Sequence, residues 1–405
     1  MKDEKKAPKL RFKGFTDDWE QCKLGDVFAE RSEKSQDGNE ELLSVTLKDG
    51  VIKSKSLDRK NTASHDKRNY KLVIPNDIAY NSMRMWQGAL GVSKFSGIVS
   101  PAYTVIKLRN QLENPYFYQY YFKKNEMLNV FRKNSQGLTS DTWNLKYPLF
   151  SRIRFFTAST REQQQISSLL YLLDQTITLH GEKKRQLERL KSALLQKMFA
   201  DKSGYPAIRF KGFTDDWEQC KLGDVCEEVS GNNGNVKGLP ILTISAANGW
   251  MNQKDRFSQV IAGNELKKYT LLKKGHLAYN HGNSKQAKYG TVFVQNLYDQ
   301  ALVPRVYHSF KMKTENDPYY VEYYFATKKL DRELARLVTS GARMDGLLNI
   351  NKKDFFKIKF EVPTPVEQSL IGTILQKLDQ TITLHDQKLN LLKLVKQSLL
   401  QNMFI

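Results

Sequence analysis

Only three cysteines, Cys22, Cys220 and Cys226, occur in 405 residues. An odd number so spread can build neither a disulfide framework nor a zinc cluster, which points to a reducing, cytoplasmic setting. Long apolar runs are also missing: nowhere do eighteen apolar residues follow one another. The opening MKDEKKAPKL carries charge with no apolar stretch behind it, so neither a membrane span nor a secretory leader is expected. No G-x-x-x-x-G-K-[ST] loop and no glycine fingerprint at a strand-to-helix turn is present, which leaves ATP and dinucleotides without a seat. Carboxylates are scattered rather than paired at catalytic spacing. No catalytic residue, metal site or resident cofactor is expected on this chain.

What the chain does have is itself, twice. The seventeen-residue string RFKGFTDDWEQCKLGDV stands unchanged at 11–27 and 209–225, and LDQTITLH stands at 173–180 and 378–385. Copies of roughly two hundred residues are too long for solenoid modules, so each should carry its own core. The filling between the echoes has diverged, as a molecule needs if one scaffold reads two different things. Lys and Arg outnumber Asp and Glu by 64 to 43, a net charge of +21, and 11% of residues are aromatic. That balance favours a polyanionic partner, nucleic acid before a merely basic surface.

Each copy ends in a long helical pattern with a marked start. Thr364-Pro365-Val366-Glu367 and Ser159-Thr160-Arg161-Glu162 place a hydroxyl cap three residues before a glutamate, as in a capping box. Downstream, Ile166, Leu170, Leu173, Ile177, His180, Leu187, Leu194 and Met198 fall on alternating three- and four-residue steps, interrupted by Lys184 and Lys191. Ile371, Leu375, Leu378, Ile382, His385, Leu389, Leu392, Leu399 and Met403 repeat the register. A helix over 162–198 would be about 55 Å long. Such stripes suit an intramolecular antiparallel coiled coil better than two ordinary core helices. With related copies, Phe404 should end near Arg11 just as Phe199 ends near Arg209.

The intervening segments are mixed α/β. Copy one has short β-rich runs at 42–46, 72–74, 78–80 and 103–108, copy two offers 241–244, 277–279, 291–294 and 306–310, and a helix follows at Asn114-Pro115 and at Asp317-Pro318. The expected domains are 1–158 and 201–363, with long helices over 159–200 and 364–405.

Two features resemble chemistry without carrying it. Asn114-Pro115-Tyr116-Phe117 and Asp317-Pro318-Tyr319-Tyr320 approach the motif with which amino-methyltransferases hold a flipped adenine, but the second proline is missing. A helix cap followed by proline explains both strings. His180 and His385 suit a polar contact in the helical seam better than a metal.

The basic residues concentrate in variable loops. Between Lys48 and Lys71 there are eight Lys or Arg against three Asp, among them Lys53, Lys55, Arg59, Lys60, Lys67 and Arg68. They would line phosphates or form a solvated surface. After the strand at 78–80 comes a loop with Arg84, Trp86 and Gln87, and its counterpart holds Asn280, His281, Asn283, Lys285 and Gln286. A third pair of loops offers Gln136, Thr139 and Ser140 in one copy and Arg343 in the other. Arg to guanine and Asn or Gln to adenine are bidentate pairings of a major-groove reader, although turn chemistry would use the same residues.

Taken together, the duplicated frame, the EQ pairs at Glu162 and Glu367, LDQTITLH and the terminal LLQKMF and LLQNMF resemble the specificity subunit of a bacterial type I restriction-modification enzyme. The resemblance covers nearly the whole chain. It implies two target-recognition domains, each reading half of a bipartite double-stranded DNA site, held apart by two conserved antiparallel helices that dock partners. Those partners are two methyltransferase subunits using S-adenosylmethionine and two restriction (translocase) subunits using ATP and Mg, this chain having no catalysis of its own. The helical positions concerned are Ile166, Leu170, Leu173, Ile177, Leu187, Leu194, Ile371, Leu375, Leu378, Ile382, Leu392 and Leu399. Two alternatives remain at this level: a self-contained methyltransferase or nuclease, and a scaffold whose charge only keeps it soluble.

Overall fold

The repeated frame folds by reaching across the sequence. Strand β1 (Glu20–Lys23) pairs antiparallel with β10 (Arg154–Thr157), the last strand before the first long helix. This computed structural model describes residues 6–57, 64, 66–200, 204–231, 236, 238–257, 263–282, 284, 286–313, 315–339 and 348–405. The chain divides into two compact units, Met1–Gly181 with Gln387–Ile405, and Glu182–Asp386. Both long helices, α3 (Thr160–Lys197) and α6 (Pro365–Asn402), contribute to both units.

In the first unit, β2 (Phe28–Glu30), β9 (Tyr103–Leu108), β6 (Ile78–Asn81) and β7 (Leu90–Val92) form an antiparallel sheet in the order β2-β9-β6-β7. Hairpin β3 (Leu43–Thr46) with β4 (Gly50–Lys53), and the pair β5 (Lys71–Val73) with β8 (Gly97–Val99), complete the β structure. Gly50 has φ of +65°, and a Cβ on Gly91 would lie 2.7 Å from its Cα, so hairpin and sheet approach only without side chains at this crossing. Helices α1 (Pro115–Phe122) and α2 (Asn125–Lys133) follow.

The second unit repeats this plan strand for strand. Strands β11 (Glu218–Lys221) and β20 (Lys359–Val362) pair as β1 and β10 do. A sheet of β12 (Cys226–Glu228), β19 (His308–Met312), β16 (Leu277–Asn280) and β17 (Thr291–Val294) runs in the matching order. Beside it are β13 (Leu242–Ser245) with β14 (Gly249–Asn252) and β15 (Thr270–Lys273) with β18 (Gln300–Val303), followed by α4 (Pro318–Ala326) and α5 (Asp331–Leu337). The expected runs in both copies are strands, with edges shifted by up to two residues, while β7 and β15, the counterparts of 291–294 and 72–74, are not among them.

The capping-box expectation is corrected in one respect. Hydroxyls do cap the helices, since the Glu162 N–H donates to Ser159 Oγ and the Glu367 N–H to Thr364 Oγ1, each at 3.4 Å. The glutamate side chains turn away from the cap. Arg11 donates Nε and Nη2 to the two Glu162 oxygens at 2.8 and 2.7 Å, joined by Trp19 Nε1 at 3.1 Å. Arg209 grips Glu367 in the same bidentate way at 2.8 and 2.9 Å. Both carboxylates are buried, and a buried carboxylate is retained only when paired and hydrogen-bonded. The neighbouring glutamines finish the job: Gln163 accepts the Asn114 N–H and Gln368 the Asp317 N–H, each at 3.1 Å.

The chain ends close each core. In the first unit Phe404 stacks on Tyr121 at 5.2 Å, edge-on to Trp19, while the Leu10 N–H donates to Asn402 O at 2.9 Å. In the second, Phe199 packs on Tyr320 at 5.4 Å and the Ile208 N–H donates to Lys197 O at 2.9 Å. The expected approach of each helix end to its frame is therefore present within both units.

The helical stripe is the packed face. Ile166, Leu170, Ile371, Leu375 and Leu389 are buried, while Leu173, Ile177, Leu187, Leu194, Leu378, Ile382, Leu392 and Leu399 are half-buried. Lys184 and Lys191 do not merely interrupt it. In the second unit they pair with Asp386 and Asp379, so one partner moves seven residues down its helix as the other moves seven up. That is an antiparallel seam stepping by one heptad. In the first unit Lys396 pairs with Asp174. Among the described residues no helix is long and apolar enough to cross a membrane.

Candidate nucleic-acid interface

In the first unit two loops expected to matter are physically joined. The stretch after β6 makes a short 3-10 turn, Met85–Gln87, in which Met85 is buried and Gly88 closes the turn with a φ of +87°. Arg84 and Gln87 remain exposed, Arg84 Nη1 donating to Gln87 Oε1 at 3.1 Å. Trp86 is half-exposed and meets Trp143 edge-on at 5.1 Å. The Leu145 N–H donates to Ser82 O at 2.9 Å, fastening the loop that carries Gln136, Thr139 and Ser140, all exposed. Trp143 was not legible as part of this surface, because only the fold brings it to Trp86.

The basic loop after Lys48 is more ordered than its composition suggests. Lys53 ends β4 and Lys55 lies in a 3-10 turn, and both ammonium groups reach Glu41, at 3.4 and 3.1 Å. Arg68 pairs with Asp66 at 2.8 Å. Arg59 and Lys60 lie outside the described residues, as do Asn283, Lys285 and Arg343.

In the second unit the matching loop has a different foundation. Asn280 is turned inward, its Nδ2 donating to Ile244 O and its Oδ1 accepting the Gly282 N–H, each at 3.1 Å. His281 is buried, with Nδ1 and Nε2 each 2.6 Å from the carbonyl oxygens of Leu348 and Val306. His281 therefore supports this loop from beneath. Gln286 is exposed.

Backbone bonds show which residues correspond, since the Leu348 N–H donates to His281 O at 2.8 Å as Leu145 does to Ser82. Thr104 and His308 correspond as well, lying opposite Tyr80 and Tyr279. Beneath one loop lies a hydroxyl pair, Ser82 with Thr104 at 2.7 Å. Beneath the other lie two imidazoles 4.9 Å apart. Burial, then the neighbouring His281, pushes His308 down to about 4, which keeps it neutral near pH 7.

The near-miss adenine motif is structural. Asn114 Oδ1 accepts the N–H groups of Tyr116 and Phe117, and Asp317 Oδ1 those of Tyr319 and Tyr320. The aromatic residues behind them are mostly buried, among them Phe117, Tyr118, Tyr320 and Tyr324. All three thiols are raised by burial, Cys22 and Cys226 to about 12 and Cys220 to about 11, which suppresses their nucleophilic form.

A cationic strip on the frame itself escaped sequence reasoning. Lys23 lies opposite Arg154 across β1 and β10, and Lys221 opposite Lys359 across β11 and β20. Like charges facing each other weaken a strand pair. Among the described residues, none of these four side chains is in a salt bridge, although Asp26 and Asp224 accept the backbone N–H groups of Lys23 and Lys221 at 2.8 Å. In the second unit Lys359 borders a cleft of about 770 Å³ whose lining includes Lys329, Arg332, Arg336 and Lys357 together with Glu333 and Glu361. No sequence signal marks it, because the pairing is set by the antiparallel register.

The family model for the type I restriction modification DNA specificity domain matches residues 16–189 and again 214–394. The chain belongs to this family. Its DNA specificity domain is present twice, each match starting within a copy of the frame and ending within the long helix that follows. The fold is similar to that of the type-I restriction-modification system S subunit from M. genitalium, with a TM-score of 0.57 and 15% identity over 98% of this chain and 99% of that one. The HsdS subunit from Thermoanaerobacter tengcongensis aligns at a TM-score of 0.43 and 16% identity, over 95% and 96%. Family membership gives DNA recognition to the domain.

Proposed function

We propose that this chain is the DNA-reading subunit of a type I restriction-modification complex, in which each variable domain reads one half of a bipartite site. The observation that carries this is one scaffold used twice with different tops. The sheet order and the Arg–Glu clamp are the same in both units, yet one loop stands on a hydroxyl pair and the other on paired histidines. Exposed Arg84, Gln87, Gln136, Thr139 and Ser140 of the first unit and Gln286 of the second supply hydrogen-bonding groups of the kinds that read base edges. Lys53, Lys55 and the strip of Lys23, Arg154, Lys221 and Lys359 supply sequence-independent phosphate affinity.

In this reading the two long helices set the unread spacer and dock two methyltransferase subunits, and two restriction subunits complete the assembly. Their outward faces carry exposed Leu172, Leu179, Leu384, Leu391 and Leu394, apolar surface of the kind a protein partner covers. Methyl transfer and strand cleavage belong to those partners, which bind S-adenosylmethionine, ATP and Mg. The test is methylome sequencing of cells expressing this chain with its methyltransferase partner. A two-part motif with a fixed unread spacer is expected. A continuous motif, or methyl transfer by the purified chain alone, would overturn the proposal.

A further inference from the structure

Leu138 is fully exposed, at 101% of its reference area, although the loop that carries it is held by internal hydrogen bonds. Gln136 and Asn144 exchange backbone hydrogen bonds of 3.0 and 2.7 Å at its base. Thr139 O accepts the N–H groups of Thr142 and Trp143 at 3.0 and 3.1 Å, and the Thr139 N–H donates to Thr142 Oγ1 at 3.1 Å. Gly137 has a φ of +143°, and a Cβ there would fall 2.6 Å from the Thr142 carbonyl, so the turn tolerates only glycine. The result is a turn-rich loop, closed at its base by one antiparallel bridge, that holds an apolar side chain in water. Its stem is fixed to the neighbouring loop through Trp143–Trp86 and Leu145–Ser82. Met83, 43% exposed, lies on that second loop with Arg84 and Gln87.

The DNA major groove, about 12 Å wide, can take the tip of a narrow loop, and the one apolar group on a base edge there is the C5-methyl of thymine. We propose that Leu138 is a specificity-determining residue of the first unit that reads a thymine methyl, beside the polar readers Arg84, Gln87, Gln136 and Thr139. This rests on the DNA-reading function proposed above. The leucine adds a contact that arginine and amide side chains cannot make, and its exposure in the free chain is the consequence of waiting for that partner.

The experiment uses the complex of the full chain with its methyltransferase partner and duplexes carrying the mapped site. Each thymine in turn is replaced by deoxyuridine, which lacks only the methyl, and binding is measured by fluorescence anisotropy. The expected result is one thymine, in one half-site, whose replacement weakens binding about fourfold, the equivalent of one buried methyl-sized group. The Leu138→Ala complex should bind the parent duplex about as weakly and gain nothing further from that methyl. Because Leu138 packs on nothing, this variant keeps its fold. Sensitivity at no thymine, or sensitivity undiminished in Leu138→Ala, would overturn the inference. So would a loss in Leu138→Ala that is independent of the methyl and accompanied by reduced DNA bending, which would make the residue a wedge between base steps. A complex that binds the mapped site no better than a scrambled one would instead sink the parent proposal.

Discussion

Lys191 holds its ammonium 2.5 Å from Asp379, and the same carboxylate accepts the Tyr323 hydroxyl at 2.8 Å. Asp174, its equivalent in the other copy of LDQTITLH, takes Lys396 and the Tyr120 hydroxyl. The repeated aspartate thus ties the helical seam to an aromatic helix in each unit, which explains its presence at one register in both copies. Asp379→Asn should lower stability by about 1 kcal/mol, the partly exposed ion pair being screened by solvent. Urea denaturation checks it, and an unchanged midpoint would count against the tie. Asp174→Asn should cost as much and add to it, because the two ties share no partners.

Arg11→Ala removes the bidentate partner of the buried Glu162 carboxylate and leaves it the Trp19 Nε1–H. The expected cost is about 3 kcal/mol or more. Hydrogen exchange should show faster opening of the first unit, with the second unit's protection unchanged, and Arg209→Ala should show the reverse. Uniform loosening of the whole chain by either variant would contradict units with separate cores.

Glu322 accepts the Val294 N–H at 2.6 Å where the first unit uses Gln119 for the Val92 N–H at 2.7 Å. Burial, then the nearby Asp379 charge, raises the Glu322 carboxyl from 4.5 to about 7. A carboxyl raised in the folded state costs stability as pH climbs through that window, because the unfolded chain ionises first. Glu322→Gln should therefore stabilise the protein, by nothing below pH 4.5, increasingly up to about pH 7 and constantly above it. The plateau is of order 1–3 kcal/mol. Thermal melts across this range test it, and a gain that shrinks with rising pH would reverse the sign argued here.

Much of this architecture was legible in the chain itself, because its cues are local and periodic. The heptad stripe from Ile166 and from Ile371, the caps at Asn114 and Asp317, and the runs that became β6 and β16 all announce themselves in windows of a few residues. What stayed hidden depends on long-range pairing. Nothing near Glu162 reveals that its carboxylate leaves the cap for Arg11, and nothing near Trp143 points to Trp86. Burial was equally silent: His281 has the composition of a base reader, yet Tyr279 and His308 enclose it.

The cationic strip gives a prediction separable from sequence reading. Replacing Lys23 and Arg154 together by Gln should remove about two phosphate contacts, lowering the slope of log affinity against log salt by about two. The methylated motif should stay the same. A changed motif would mean that these side chains touch bases.

The central claim is that one scaffold carries two independent readers. Its most direct test exchanges residues 28–158 for the variable segment of another family member and maps the methylated sites in cells that supply the methyltransferase partner. The account predicts a new sequence in one half of the motif, with the other half and the spacer unchanged. Alteration of both halves together would contradict it.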